Sequence, residues 1–175
     1  MEFGWNLALL LLRVMVGFTM FAHGYNHIWG GGKIKGTAGW FESLGLKPGI
    51  LHAWMASLVE LVCGPLLILG LLTPLAAAGV VGVMAVAFLT NHRPNGFFIF
   101  RPGEGYEYVI NLAVAGIALG GLGAGDWSID HLIQNGLDKQ LNAMVGLAIA
   151  AVGGIGGAVL LLAVYWRPAP KAAEA

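Results

Sequence analysis

Charge and cysteine are the two things this sequence largely does without. Only 10% of its 175 residues are Asp, Glu, Lys or Arg, while 58% are apolar; an ordinary soluble domain carries about a quarter charged residues. Water is thereby excluded as the main solvent of the folded chain, which reads as a membrane protein. Nine basic and nine acidic residues cancel, removing the electrostatic footprint that nucleic acid or a strongly acidic partner would require. The lone cysteine, Cys63, lies between Val62 and Gly64 in an apolar run. It excludes an intrachain disulfide and a thiolate zinc site, leaves the redox compartment unspecified, and reads as a small buried hydrophobe. A CxxC pair and a dinucleotide-binding glycine fingerprint are also missing, so any electrons handled by this chain must come from another protein.

Long apolar runs are what the sequence has instead. A helix needs about 20 apolar residues to cross the hydrocarbon core, and five runs qualify as candidates, at about residues 7–29, 49–71, 74–90, 106–122 and 141–166. Pro74 suits a first helical turn, and the polar NHRPNG from Asn91 to Gly96 is expected to end the third span. The fifth run carries no charged residue. The N-terminal MEFGWNLALLLLRV lacks a basic leader and a small-residue cleavage site, so it reads as a retained first span.

Two connections have character of their own. Residues 30–48 are glycine-rich and broken by Trp40, Phe41 and Leu44, which suits a short amphipathic piece at the interface. In DWSIDHLIQNGLDK, Asp126 or Ser128 is a candidate N-cap, with Ile129, Leu132 and Ile133 on one face and Asp130, Gln134 and Asp138 on the other. That segment is expected to lie flat on the membrane, and the RPAPKAAEA tail is polar. With five spans, Lys33, Lys35, Lys47, Arg93, Arg101, Arg167 and Lys171 share one side and Lys139 the other. The positive-inside rule then places the N-terminus outside and the C-terminus in the cytoplasm of a bacterial-type plasma membrane.

Glycines recur within the spans, at Gly116 and Gly120 and in the GGIGG of Gly153 to Gly157. Small residues let helices approach closely in lipid. Internal packing is one reading; a docking face on the fifth span for another membrane subunit is the other.

The informative residues are the charges placed inside spans, where each costs about 2.5 to 3.5 kcal/mol on insertion scales. Arg13 lies in the first span, Glu60 near the middle of the second and Glu107 at the mouth of the fourth. Arg13 is expected to pair with Glu60, whose carboxyl in low dielectric could also carry a proton; Glu60, Arg13 and Glu107 form the candidate catalytic set. His23 and His27 are four residues apart and share a helical face, a spacing that suits a metal, a proton relay or hydrogen bonding to a quinone carbonyl. With His92, placed after the third span, they form the candidate cofactor-binding set.

These residues resemble a known family. The first-span LLRVMVGFTMFAHG, the GWFESLGL connection, AWMASLVELVCGPLLILGLLTPLAA, and GYEYVINLAVAGIALGGLGAGDWSID are similar, in order and content, to the DoxX/DoxD-like small membrane proteins over about residues 10–130. The resemblance implies an all-α membrane protein: a four-helix transmembrane bundle of DoxX type at residues 1–138, a fifth C-terminal transmembrane helix at 139–166 and a tail at 167–175. It carries over Arg13, His23, Gly24, Glu60, Gly64, Gly70, Glu107, Ser128 and Asp130. His27 stands where the family often has a lysine, a titratable group in place of a fixed cation. Some members resemble a subunit of a thiosulfate:quinone oxidoreductase, and others are linked to membrane redox or thiol-stress complexes.

The functional expectation is a membrane subunit of a quinone-linked redox complex, not an enzyme alone, with quinone as its ligand and neither metal nor haem assigned. Its partners would be other redox subunits, met through the fifth helix, and lipid, with no nucleic acid. The alternatives are a non-catalytic scaffold anchoring a partner enzyme and a small-solute carrier, the last disfavoured by the lack of an inverted repeat or paired broken helices.

Overall fold

The computed structural model describes residues 3–133 and 143–168. Helix α1 spans Phe3–Trp29, α2 Lys33–Ser43 and α3 Gly49–Leu69. Helix α4 runs over Thr73–Asn95, its last two turns changing from α to π at Phe88–His92 and to 3-10 at Arg93–Asn95. Then come α5 at Glu107–Leu122, the single turn α6 at Ile129–Leu132 and α7 at Ala143–Tyr165, which holds a π turn at Ile149–Gly153. Helices α1, α3, α4 and α7 are long and apolar enough to cross a membrane; α5 is apolar and shorter, at 16 residues. The five apolar runs are therefore helices. The protein is an all-α membrane protein in which α7 adds to a bundle of α1, α3, α4 and α5.

The third span extends further than the polar NHRPNG suggested. Its backbone bonds are kept by widening to a π turn and then tightening, with Asn95 donating from its side-chain amide back to Asn91 O at 3.1 Å. The tail beyond Pro168, with Lys171, and the expectations for Gln134, Asp138 and Lys139 lie outside the described residues.

Glycine sets the helix crossings. A Cβ built on Gly17 would lie 2.5 Å from Gly64 O, and one on Gly64 would lie 2.6 Å from Gly17 O. Because α1 and α3 are antiparallel, this contact fixes which residues face each other at every other level. Gly116 packs on Ala77 and Val81 of α4, Gly120 on Gly146 and Ala150 of α7, and Gly154 on Ala78 and Val81. Those glycines serve internal packing, whereas Gly156 and Gly157 have no neighbour within 4 Å of an added Cβ. Buried Leu9, Val16, Met20, Leu67, Val80 and Leu119 fill the space between helices.

One end of the bundle is held by a charged latch, and here two expectations are corrected. Arg13 is fully buried and does not meet Glu60: its guanidinium donates to Trp127 O at 2.6 Å and to Leu67 O at 3.4 Å. It thus sits on the carbonyl-rich C-terminus of α3, where a cation is favoured. The register explains the miss: Leu67 is two turns beyond Glu60, about 10 Å along α3. Asp130, expected on a polar outer face, is 1% exposed. Its carboxylate accepts from Leu72 N at 2.9 Å, Thr73 N at 3.2 Å and the Thr73 hydroxyl at 3.1 Å. That caps α4, whose N-cap Leu72 has φ of 51°. Ser128 caps α6 as expected, accepting from His131 N at 3.1 Å, and this short turn is what carries Asp130 inward.

Candidate functional site

The opposite end of the bundle gathers the C-termini of α1, α4 and α7 with the N-termini of α3 and α5. Between them lies a cavity of about 470 Å³. Most of its wall is apolar, from Met55 and Val59 of α3, Val83 and Ala87 of α4, Leu161 of α7, and Trp40, Phe41 and Leu44 of α2 and the turn after it. Into this wall come His23, His27, His52, Glu60, His92, Glu104 and Tyr108.

Helix α2 covers one side of the cavity. The Thr37 hydroxyl donates to His27 O at 2.9 Å, and Phe41 meets the His27 ring edge-on with centroids 6.0 Å apart. The turn after α2 is tied to the end of α7: Trp166 Nε1 donates to Leu44 O at 2.9 Å, Arg167 N to Gly45 O at 2.7 Å and Lys47 N to Tyr165 O at 3.3 Å.

Glu60 pairs with His27. Nδ1 of His27 and Oε2 of Glu60 are 3.1 Å apart, both side chains largely buried. Neither atom has a partner in hydrogen-bond geometry among the described residues, so the contact is electrostatic and both atoms retain capacity for a third group. The pair owes its position to Gly24, a second close approach of α1 to α3: an added Cβ would lie 2.9 Å from both Glu60 Cβ and Ser57 O. A carboxylate beside an imidazolium, or their neutral forms, is net neutral, which suits a low-dielectric site.

Around this pair the other groups are oriented. The Tyr108 hydroxyl and His23 Nε2 share a hydrogen bond of 2.7 Å, with their rings stacked at 5.7 Å; His23 itself is exposed. His92 is buried, with Nδ1 2.9 Å from Glu104 O. A carbonyl can only accept, so Nδ1 carries the proton and Nε2 faces the Asn91 amide at 3.4 Å as acceptor. Among the described residues no group of three His, Cys, Asp or Glu side chains is arranged to hold a metal ion.

The structure thus brings together four of the six residues singled out from sequence: His23, His27, Glu60 and His92. Arg13 and Glu107 lie elsewhere. Glu107 braces the loop before α5, its carboxylate accepting from Ile99 N at 3.3 Å. Tyr108 and His52 were missed as site residues. Both are polar rings one turn or less inside an apolar helix, and His52 lies eight residues before Glu60 on the same helix.

A bundle of apolar helices around a cavity with buried titratable groups defines the class: an integral membrane protein with an internal polar site. The family model described as DoxX matches residues 8–93, from α1 into the last turn of α4, so that stretch of the chain is similar to the DoxX family. The chain is also similar to the uncharacterized membrane protein Rv3486 of Mycobacterium tuberculosis, 28% identical over 135 residues, 73% of this chain and 82% of that protein. No solved structure matches the chain. The DoxX match contains His23, His27, His52, Glu60 and His92; Tyr108 and α7 lie beyond it.

Proposed function

We propose that the protein is the membrane subunit of a quinone-linked redox assembly, holding a quinone head in the cavity and exchanging its protons through His27 and Glu60. The observation that carries this reading is the His27–Glu60 contact of 3.1 Å on the wall of a cavity of about 470 Å³. That volume falls in the range of about 300–1,000 Å³ typical of small-molecule sites, and its apolar wall suits a lipid-soluble ligand.

The quinone supplies the redox chemistry, taking up two electrons and two protons. The chain's residues bind and orient the head, exclude water and manage protons. Glu60 and His27 hold one between carboxylate and imidazole, and the Tyr108–His23 hydrogen bond of 2.7 Å leads from the cavity to an exposed ring. Reprotonation from the aqueous side follows that route. Electrons come from a partner subunit docked on α7, whose outer face carries Val152, Val159 and Leu160 at more than half exposure. Lys33, Lys35, Lys47, Arg93, Arg101 and Arg167 lie at the cavity end, which supports a cytoplasmic placement of that end in a bacterial-type plasma membrane.

The buried charges Arg13 and Asp130, spent wholly on architecture, favour the second reading, a scaffold without chemistry. Replacing Glu60 by Gln separates the two. The redox reading expects turnover of the purified assembly to fall at least ~100-fold, the scale of a lost acid–base group, with its subunits still co-purifying. Unchanged turnover, or loss of assembly, supports the scaffold.

A further inference from the structure

His52 is a polar group in this cavity that the proposed chemistry does not use and that no neighbour among the described residues bonds. Its side chain is 3% exposed, lines the cavity, and neither ring nitrogen has a hydrogen-bond partner among the described residues. The Lys47 carbonyl is the backbone acceptor nearest in role to the ring, but its placement falls outside hydrogen-bond geometry. Tyr165 holds the ring edge-on, with centroids 5.0 Å apart. The N–H donors nearby are already committed to the tie between the α2 turn and α7, in the bonds of Trp166 Nε1, Arg167 N and Lys47 N. Buried imidazoles are normally bonded, and one oriented by a neighbouring ring but left unbonded on a cavity wall is prepared for a ligand atom.

Building on the cavity reading above, we infer that His52 is a second hydrogen-bonding post and that the ligand's head carries oxygens on two opposite sides. One oxygen faces the His27–Glu60 pair and the other faces His52. The eight residues between His52 and Glu60 separate the posts by about 12 Å along the α3 axis, which leaves room for a single ring with a hydrogen bond at each end. A neutral imidazole has one N–H and one bare nitrogen, so His52 donates to a carbonyl and accepts from a hydroxyl. It therefore fits both the oxidised and the reduced form of a two-oxygen ring, which neither a fixed cation nor a carboxylate would do.

The test compares duroquinone and duroquinol, which have two ring oxygens, with 2,3,5,6-tetramethylphenol, which has one on the same methylated ring. Binding is measured by partition into lipid nanodiscs with and without the full-length protein. The wild type is expected to bind both two-oxygen ligands about 10-fold more tightly than the phenol, the scale of one buried hydrogen bond. His52→Leu should bind all three equally, and His52→Gln, which keeps a donor and an acceptor, should restore part of the preference. Equal binding of all three by the wild type, or an undiminished preference in His52→Leu, overturns the role of His52 while leaving the cavity reading intact. Binding of none of them by the wild type overturns both.

Discussion

Gly24 of α1 lies so close to Glu60 of α3 that a Cβ added to it would stand 2.9 Å from the Glu60 Cβ. This backbone approach, not any attraction between charges, delivers His27 to Glu60 one turn further along α1. Substituting Gly24 by Val forces the helices apart by overpacking, at a cost of about 1–3 kcal/mol. Denaturant titration in mixed micelles should register that loss. The same variant should lose quinone binding although no polar group has been removed.

The buried charges at the other end should behave differently from Glu60. Arg13→Leu leaves Trp127 O without this donor and Leu67 O with only Gly70 N at the end of α3, and losing buried hydrogen bonds from a charged group costs about 1.5–3 kcal/mol each. Asp130→Ala removes the cap of α4, for about 0.5–2 kcal/mol. Both should lower the unfolding midpoint, whereas Glu60→Gln should change it little and change ligand binding instead. An Arg13 variant with normal stability would contradict the latch.

Gly70 ends α3 in the left-handed region, with φ of 65°, and the space a Cβ would need is taken by the Arg13 guanidinium. Gly70→Ala pays about 1–2 kcal/mol for the left-handed backbone alone, and more for displacing Arg13. It should therefore be more destabilising than Gly156→Ala, where nothing lies within 4 Å of an added Cβ. Thermal unfolding of the two variants side by side checks the order.

Asp126, outside the spans in the turn before α6, accepts from the Asn6 side-chain amide in the first turn of α1 at 2.9 Å. That bond, with a smaller contribution from His131, holds the Asp126 carboxyl below its usual value of 3.8. A carboxyl depressed in the folded state contributes stability above its unfolded value, and the contribution is lost as pH falls through the folded one. The unfolding midpoint should therefore decline below about pH 4, and Asn6→Ala should flatten that decline. A pH profile identical in Asn6→Ala would refute the assignment.

Much of the architecture was legible in the sequence because membrane crossing imposes length and apolarity, and these can be counted. The fit of Gly49–Leu69 to a run read as 49–71, and of Ser128 to a cap, follow from such local rules. Partners between helices were not legible in the same way. Arg13 and Glu60 were natural mates by charge, but the Gly17–Gly64 crossing fixes a register in which Arg13 reaches the end of α3 and His27 reaches Glu60. Asp130 was misplaced because a four-residue helix obeys the turn it clamps, not an amphipathic face. Tyr108 and His52 carry no motif, and only the convergence of α1, α3, α5 and α7 gives them a shared space. His23, His27 and His92 could be grouped from sequence because all three sit near span ends on one side.

The central claim is that His27 and Glu60 act as one unit on a bound quinone, and a double-mutant cycle in duroquinone affinity tests it most directly. His27→Gln and Glu60→Gln should each weaken binding about 10-fold, and the double variant should be no weaker than either, a coupling of about 1.4 kcal/mol. Additive losses, roughly 100-fold in the double variant, or no loss in either single variant, would contradict it.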